Sequence, residues 1–319
     1  MNRPTVSVVI PTVKRISVRA AIISALNQTY PPLEVIVAVD RPDGRIPQHL
    51  DDLRDKIRVV QSGGVGPGGA RMQASLLASG DVVAFLDDDD AWFPEKLERQ
   101  LAMWPTMQDK RHTMMGSRFV MIGPDGELRQ ELPGRPIASG ERLQAYLFRR
   151  SQMRYWEGGI HPSTLMCDRD LLDEVPWDKT MRLHEDWDWY LRVGSRTDVE
   201  ILMSTDVLVG VGSGDAQSLS RHADWKASFS WLEERAEQFT PRELGDFLLC
   251  YPAVLAVRSG TRRQSLRLGF YALAKGRPGF HSWVVWALNL LSPTLVGSGV
   301  NVLRVSRAGR KTPAAASSV

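Results

Sequence analysis

The chain has 319 residues, of which 43% are hydrophobic and 24% are charged, and its formal net charge is +3. This composition is typical of a folded soluble protein and excludes a low-complexity chain, apart from the tail TPAAASSV. The length allows one large domain with an appendage, or two domains. Cys167 and Cys250 lie far apart and indicate no disulfide framework, and the apolar run near the N-terminus is too short for a signal peptide. We therefore expect a cytoplasmic protein.

Strands and helices alternate over roughly the first ninety residues. Apolar, β-branched runs predict strands at 5–12, 33–40, 57–62 and 81–87, and helical spacing predicts helices at 18–30, 50–56 and 70–80. This alternation is typical of a parallel α/β sheet, in which ligands bind beyond the carboxyl ends of the strands. Thr12, Asp40, a glycine turn at 63–69 and Asp87 to Asp90 all fall at those ends. The sequence therefore predicts a binding site at this edge.

The pattern changes after about residue 112. Residues 112–128 predict a hairpin around PDGE, and 158–175 predict a strand followed by a helix. HEDWDWYLRVG predicts the start of another helix, and 199–212 predict a pair of strands. Beyond Asp224 the chain is dominated by aromatic and leucine-rich helical segments, so we expect a domain boundary near 225.

Four consecutive aspartates, Asp87 to Asp90, follow the fourth predicted strand. Adjacent carboxylates repel one another, and partial burial raises the cost of keeping them ionised. A bound cation or a specific hydrogen-bonding ligand would relieve that cost. The alternative, a solvated acidic loop, fits less well because the cluster closes an apolar strand.

The glycine turn permits a second interpretation. Gly64, Gly66 and Gly69 match G-x-G-x-x-G between a strand and a helix, which is the pattern of a dinucleotide site in an oxidoreductase. However, Pro67 removes a backbone N–H from the loop, and the pattern follows the third strand rather than the first. A nicotinamide-dependent oxidoreductase therefore remains an alternative only.

Five segments occur in one order: VSVVIPT, NQTYPPLEVIVAVD, the glycine turn into GGAR, ASGDVVAFLDDDDAWFPEKLERQ, and HEDWDWYLRV. Together they resemble the family 2 glycosyltransferases from residue 5 to about 222. The resemblance implies a GT-A fold, a nucleotide-binding, mostly parallel α/β sheet flanked by helices. It divides the chain into a donor half of about 1–110 and an acceptor half of about 111–225. Residues 226–319 form a helical, basic C-terminal region that the resemblance does not cover.

The resemblance also implies a nucleoside-diphosphate sugar as donor, with UDP as the expected nucleotide, and a divalent cation, Mg²⁺ or Mn²⁺. Oxygen ligands suit both ions. Asp87 and Asp89 supply the Asp-x-Asp pattern, with Asp89 as the better candidate for direct ligation. Asp87 and Asp88 would face the ribose or the waters of the ion. We expect Asp90 to cap the helix that starts near Phe93.

Nucleotide contacts are implied at five further positions. Pro11 and Thr12 match the turn after the first strand, Arg15 matches an arginine of the family there, and Asp40 matches its nucleobase-binding acid. The segment DRPDG departs from the family's usual Asp-Asp-Gly-Ser, and VKR departs from its usual aromatic-Asn-Arg, which leaves the base open. Arg71 falls on the family's arginine after the glycine turn and would approach the nucleotide; the alternative is a surface arginine.

Glu185 and Asp186 match the acidic pair that precedes a helix in this family. The resemblance implies that Asp186 takes the proton from the acceptor hydroxyl, and that Glu185 orients it or binds acceptor hydroxyls. The alternative is acidic charge that complements the helix dipole. Trp187, Trp189 and Tyr190 form either a floor for sugar stacking or part of the core. His161 and His222 are weaker candidates, for the acceptor side and for the ion respectively.

The predicted function is inverting transfer of a single sugar to a hydroxyl of a carbohydrate or lipid-linked saccharide, in cell-surface polysaccharide or glycolipid synthesis. A non-catalytic sugar-binding module on the same fold is another alternative. The chain after Asp246 has basic residues and no acid, which favours an anionic surface, and we expect a membrane leaflet rather than nucleic acid. The uncharged segment 282–303 is diluted by Asn, Ser, Pro and Gly, so it predicts a packed or interfacial helix rather than a span. We expect peripheral attachment to the inner face of the membrane.

Overall fold

The computed structural model describes residues 3–43, 47–105, 112–153, 156–212 and 224–291. The strands are β1 (Val6–Thr12), β2 (Glu34–Val39), β3 (Arg58–Gln61), β4 (Val82–Phe85), β5 (Ala91–Trp92), β6 (His112–Ile122), β7 (Leu128–Leu132), β8 (Met166–Asp168) and β9 (Val199–Gly212). The helices are α1 (Val18–Leu26), α2 (Pro67–Ser75), α3 (Lys96–Ala102), α4 (Leu143–Phe148), α5 (Arg169–Glu174), α6 (Glu185–Gly194), α7 (Trp225–Glu234), α8 (Pro241–Cys250), α9 (Pro252–Arg258), α10 (Arg262–Lys275) and α11 (Phe280–Leu291). Short 3₁₀ segments lie at Gln48–Lys56, Pro162–Thr164 and Ala236–Gln238.

One sheet with the order β3-β2-β1-β4-β8-β6-β9-β5 runs through the molecule, and β7 pairs with β6. In the first half of this order, β3-β2-β1-β4, each pair of adjacent strands is parallel. Alternate residues of β1 point to two cores: Val8 packs with α1 on one face, whereas Val9 packs with α2 on the other. Because both faces are covered, this half is buried, as is typical of parallel sheets. The α/β prediction is confirmed.

The second half of the sheet is mixed. β8 lies antiparallel to both β4 and β6, and β5 lies antiparallel to β9. The predicted hairpin is present as β6 and β7. The prediction of two strands in 199–212 is wrong, since β9 is one strand that runs parallel to β6. Its register shifts opposite Ser117 and Arg118, so the polar segment Ser204–Asp206 is absorbed as an irregularity and not as a turn.

The C-terminal helices α7 to α11 share a hydrophobic core with the rest of the chain. Phe148 of α4 and Leu191 of α6 are buried in the same cluster as Trp231, Phe247 and other side chains of these helices. Helix α7 begins at the predicted boundary near 225, but the core continues across it. The division into domains at this point stays a prediction.

Within the described ranges, no helix has the length and the apolar character needed to cross a bilayer. Helix α11 covers the first part of the uncharged segment 282–303, and the part from 292 onward lies outside the described residues. The predicted interfacial position of this segment is therefore not tested by the fold.

Candidate functional site

The ends of β1 and β4 bring the first group of predicted site residues together. Pro11 and Thr12 are buried at the end of β1, and the Thr12 hydroxyl donates to Asp88 Oδ2 at 2.6 Å. The guanidinium of Arg15 donates from Nη1 to Asp88 Oδ1 at 2.7 Å and to Asp89 Oδ2 at 3.1 Å. The turn after the first strand therefore positions the aspartates as well as lining the site.

Burial alternates along the four aspartates. Asp88 and Asp90 are buried, whereas Asp87 and Asp89 are partly exposed and thus form the accessible pair. Asp90 accepts hydrogen bonds from the Ser163 hydroxyl and from the backbone N–H of Gly212. The prediction that Asp90 caps the next helix is wrong: α3 starts at Lys96, and the carboxylate is turned toward the other half of the sheet.

The aspartates do not share one charge state. Burial, reinforced by the neighbouring Asp90 and Asp87, raises the pKa of Asp89 to about 7. Burial and the charge of Asp87 raise the pKa of Asp90 to about 8. Burial also opposes ionisation of Asp87, but the guanidinium of Arg71 holds its pKa below the ordinary value. The four carboxyl groups of this cluster outnumber the two arginines, Arg15 and Arg71, that contact them. A bound cation would therefore lower the repulsion between the carboxylates.

The donor set fits a divalent ion. Asp87, Asp90 and His161 each have a ligand atom within 4.8 Å of the others. Asp89 is not in this group, and its Oδ2 accepts from Nη1 of Arg15 at 3.1 Å. Carboxylate oxygens suit both Mg²⁺ and Mn²⁺. The His161 ring is fixed by the backbone N–H of Ser163, which donates to Nδ1 at 3.3 Å. Ligation by Asp87 and Asp89 stays a prediction, and His222 lies outside the described residues.

Arg71 joins this group to the second acidic pair. It is 3% exposed, and therefore not the surface arginine that the sequence left open. Its Nη2 donates to Asp87 Oδ1 at 2.6 Å, and its Nη1 donates to Glu185 Oε1 at 3.3 Å. The guanidinium also lies over the ring of Trp177, 5.3 Å from its centroid. A single side chain on α2 thus bridges the carboxylates at the end of β4 and the start of α6.

Glu185 and Asp186 form the first turn of α6 and are both partly buried. The carboxylate of Asp186 accepts from the N–H of Trp187 at 2.8 Å through Oδ1, which fixes its orientation at the start of the helix. Burial and the adjacent charge of Glu185 raise the pKa of Asp186 to about 7. A carboxylate with this pKa is suited to accept a proton near neutral pH.

The aromatic residues of α6 belong to the core. Trp189 is fully buried, stacks on Trp177 with ring centroids 4.9 Å apart, and donates from Nε1 to the carbonyl of Val175. Tyr190 is also fully buried, and Trp187 packs on aromatic side chains of the C-terminal helices. The structure therefore supports the core interpretation rather than a floor for sugar stacking.

Asp40 organises the glycine turn. Its Oδ1 accepts from the Ser62 hydroxyl and from the N–H groups of Gly64 and Val65, and its Oδ2 accepts from the N–H of Gly66. Gly66 has a φ of +89°, where a side chain would be strained. The amides that a dinucleotide phosphate would need are already bonded to this carboxylate. Nucleobase binding by Asp40 stays a prediction.

Several residues of this region had no signal in the sequence. Ser163 accepts from the N–H of Asp87 and donates to Asp90, and Trp177 supports Arg71. His184 and Asp188 connect the start of α6 to α7. All of these contacts join segments that are distant along the chain, so neither periodicity nor local spacing could identify them.

Comparison with known proteins adds to this geometry. The family model described as Glycosyl transferase family 2 matches residues 7–175. AmsB of Erwinia amylovora, an amylovoran biosynthesis glycosyltransferase, is 28% identical over 198 residues, which are 58% of this chain and 62% of AmsB. YwdF of Bacillus subtilis, an uncharacterized glycosyltransferase, is 27% identical over 237 residues, which are 72% of this chain and 83% of YwdF. The match to AmsB thus spans less than two thirds of that protein's length.

Solved structures show the same architecture. Residues 1–349 of S. aureus TarS in complex with UDP superpose with a TM-score of 0.51 at 16% identity, over 90% of this chain and 92% of that chain. TarS has also been solved in complex with UDP-GlcNAc, again with a TM-score of 0.51. At this identity the likeness concerns the fold, and it confirms the GT-A prediction. Since the family model covers more than half of the residues, the chain belongs to glycosyl transferase family 2.

Proposed function

We propose that the protein is an inverting glycosyltransferase that moves one sugar from a nucleoside-diphosphate sugar to a hydroxyl acceptor. The observation that carries this proposal is the position of Arg71 between Asp87 and Glu185. Arg71 thus connects two groups of carboxylates. Asp87 belongs to the group that would hold the cation of the diphosphate, and Glu185 belongs to the pair that would activate the acceptor hydroxyl. We take UDP as the nucleotide, because a GT-A neighbour was solved with UDP and with UDP-GlcNAc.

Asp186 would accept the proton of the acceptor hydroxyl. The hydroxyl oxygen then forms a bond to the anomeric carbon while the bond between that carbon and the phosphate oxygen breaks, and the nucleoside diphosphate leaves. Attack from the face opposite the leaving group inverts the anomeric centre. Glu185, held by Arg71, would orient acceptor hydroxyls, since its carboxylate is partly exposed beside Asp186.

Asp87 and Asp89 would hold a divalent cation, with Asp90 and His161 close enough to contribute. Such a cation supplies charge compensation for the diphosphate that departs. Thr12, Arg15 and Asp88 keep the aspartate run in place beneath the nucleotide. The likeness to an amylovoran biosynthesis enzyme supports a carbohydrate or lipid-linked saccharide as acceptor, in polysaccharide synthesis.

The two alternatives from the sequence are less well supported. The oxidoreductase would need free backbone amides in the glycine turn, but Asp40 accepts from three of them. A non-catalytic sugar-binding module would have no use for a carboxylate like that of Asp186, whose pKa is raised to about 7 by burial and by Glu185. Perturbed ionisation of this kind is concentrated at catalytic sites.

We also propose peripheral contact with an anionic membrane through α10. Leu266, Phe270 and Leu273 are exposed at i, i+4 and i+7, which puts them on one stripe of this helix. Arg262, Arg263 and Arg267 are exposed on the same helix, and no acid follows Asp246 in the chain. Apolar side chains flanked by arginine fit a leaflet of anionic lipid, where lipid-linked acceptors reside.

Replacing Asp186 with Asn tests the transfer reaction. The amide oxygen can still accept from the N–H of Trp187, so the turn is kept while the base is lost. We expect kcat to fall by roughly a hundred- to ten-thousand-fold, with donor affinity unchanged in calorimetry. In the unmodified protein, kcat/KM should rise with pH through about 7 as Asp186 loses its proton.

The matched control is Asp173→Asn, because Asp173 is an exposed aspartate on α5. This variant should have an unchanged kcat and an unchanged affinity for the donor. Turnover at the normal rate by the Asp186→Asn variant would contradict the assignment of the base, and with it the proposed mechanism.

A further inference from the structure

The residue before the acidic pair has an unusual backbone. His184 has a φ of +61°, in the left-handed region that few residues other than glycine adopt. It is the N-cap of α6, yet its side chain makes no capping hydrogen bond, and it is only 5% exposed. Strained positions of this kind persist when the surroundings fix them, and they are frequent at functional sites. Contacts elsewhere must therefore hold the His184 side chain.

Those contacts come from the C-terminal helices. The imidazole Nε2 of His184 lies 2.8 Å from the hydroxyl of Ser228, which is fully buried in α7. The Ser228 hydroxyl also lies 3.3 Å from the carbonyl of Asp224, to which it can donate when the imidazole Nε2–H donates to the hydroxyl. Burial and the nearby Arg235 lower the pKa of His184 to about 3, which keeps the ring neutral and consistent with this arrangement.

A second contact joins the same two helices one turn further along. Asp188 is buried, and it accepts from Nε of Arg235 at 2.7 Å and from Nε of Arg192 at 2.9 Å. Arg235 is the C-cap of α7. Helix α7 therefore holds both the N-cap of α6 and the residue one turn beyond it, and the acidic pair lies between these two points.

Aromatic packing acts in the same direction. The rings of His184 and Trp187 are stacked 4.6 Å apart with an angle of 7° between their planes. Trp187 in turn meets Tyr251 edge-on at 4.7 Å and Phe247 at 5.5 Å. The two residues that flank the acidic pair thus face the C-terminal helices, whereas Glu185 reaches in the other direction to Arg71.

We propose that His184 and Ser228 are positioning residues for catalysis, and that α7 sets the orientation of Asp186 through their hydrogen bond. This proposal rests on the proposed function of Asp186 as base. A catalytic carboxylate must be held close to its productive geometry, and a displacement of about 1 Å can cost on the order of a hundredfold in rate. The C-terminal helices are therefore part of the catalytic apparatus, although the family model ends at residue 175.

Ser228→Ala in the full chain tests the proposal. We expect kcat to fall about tenfold or more while KM for the donor changes less than twofold, because the donor-binding aspartates are untouched. Ser228→Thr keeps the hydroxyl and should retain most of kcat. His184→Gly keeps the left-handed backbone without the ring, and it should reproduce the loss in kcat even if the alanine variant folds poorly.

Ser265→Ala is the matched control. Ser265 is also fully buried in a C-terminal helix, and its hydroxyl accepts one hydrogen bond, from Nε1 of Trp286 at 2.9 Å. This variant should lose stability in a thermal melt to a similar extent and keep its kcat. A normal kcat in both Ser228→Ala and His184→Gly would overturn the positioning role. If the Asp186→Asn variant is inactive in that case, the proposed function still stands. An active Asp186→Asn variant would contradict both the positioning role and the proposed function.

Discussion

The four neighbouring aspartates have different tasks because each meets a different part of the chain. Asp88 is occupied by Thr12 and Arg15, and Asp90 by Ser163 and Gly212. The two others remain partly exposed. The chain turns at Asp88 and Asp89, where the N–H of Asp90 donates to the carbonyl of Asp87 at 3.2 Å, so the neighbouring carboxylates meet different parts of the chain. The resemblance implied Asp87 and Asp89 as metal ligands, which stays a prediction, and the partners of the buried pair come from segments that are distant along the chain.

At the scale of single residues, we expect Asp89→Asn to weaken the binding of Mn²⁺ roughly tenfold or more, since one charged ligand is lost. The raised pKa, about 7, means that the ion must displace a proton at low pH. Affinity in the unmodified protein should therefore increase from pH 6 to pH 8, with proton release that calorimetry in two buffers detects.

The control for this experiment is Asp52→Asn, since Asp52 is an exposed aspartate that pairs with Arg19 and not with the aspartate cluster. It should bind Mn²⁺ as the unmodified protein does. Equal Mn²⁺ affinity in the Asp89→Asn variant would refute ligation by Asp89 and favour the neighbouring group of Asp87, Asp90 and His161.

At the scale of elements, the glycine turn depends on a charged acceptor supplied by β2. Asp40→Asn replaces one oxygen with an amide that cannot accept, so at least one buried N–H of the turn loses its partner. Such a loss typically costs about 1–3 kcal/mol. We expect a lower free energy of unfolding in urea, together with weaker nucleotide binding because the turn shifts.

Asp43→Asn is a suitable control, because Asp43 follows on the same loop and its side chain is 61% exposed beside Lys14. A variant of Asp40 that loses nucleotide affinity at unchanged stability would instead indicate that this carboxylate acts on the nucleobase alone.

Local patterns predicted the elements of the donor half well, because buried parallel strands are apolar and continuous. Because ligands bind beyond the carboxyl ends of parallel strands, the sequence also predicted that Thr12, Asp40 and Asp87 lie at one edge of the sheet. Arg15 was implied only by the resemblance to the family. The same reasoning wrongly predicted two strands in 199–212. Polar residues such as Ser204–Asp206 occur both in a bulge within one strand and in a turn between two strands, so the sequence pattern does not distinguish the two. Arg71 was predicted to approach the nucleotide, but its bridge to Glu185 depends on the packing of α2 against α6, which no local pattern encodes.

At the scale of the whole molecule, the proposed contact with a membrane can be tested with the full chain and vesicles of anionic lipid. Phe270 and Leu273 are 71% and 59% exposed, and changing both to Ser removes most of the apolar stripe on α10. We expect the double variant to float less with vesicles than the unmodified protein, and raised salt to weaken flotation in both.

Ile16→Ser provides a comparison, because Ile16 is 84% exposed but lies in the donor half. It should float normally. Flotation of the double variant to the same extent as the unmodified protein would show that α10 is not the membrane-binding surface.

The core shared by α4, α6 and the C-terminal helices also limits how enzymes of this kind can be recombined. A chimera joined near residue 225 would confront Phe148 and Leu191 with foreign side chains and deprive the buried carboxylate of Asp188 of its arginine partner on α7. Asp188 would keep Arg192 as its other partner, so we expect the loss of stability to stay below about 3–5 kcal/mol, the cost of a buried charge that is left with no partner. An exchange of this region between relatives would thus have to transfer α6 and α7 as one block.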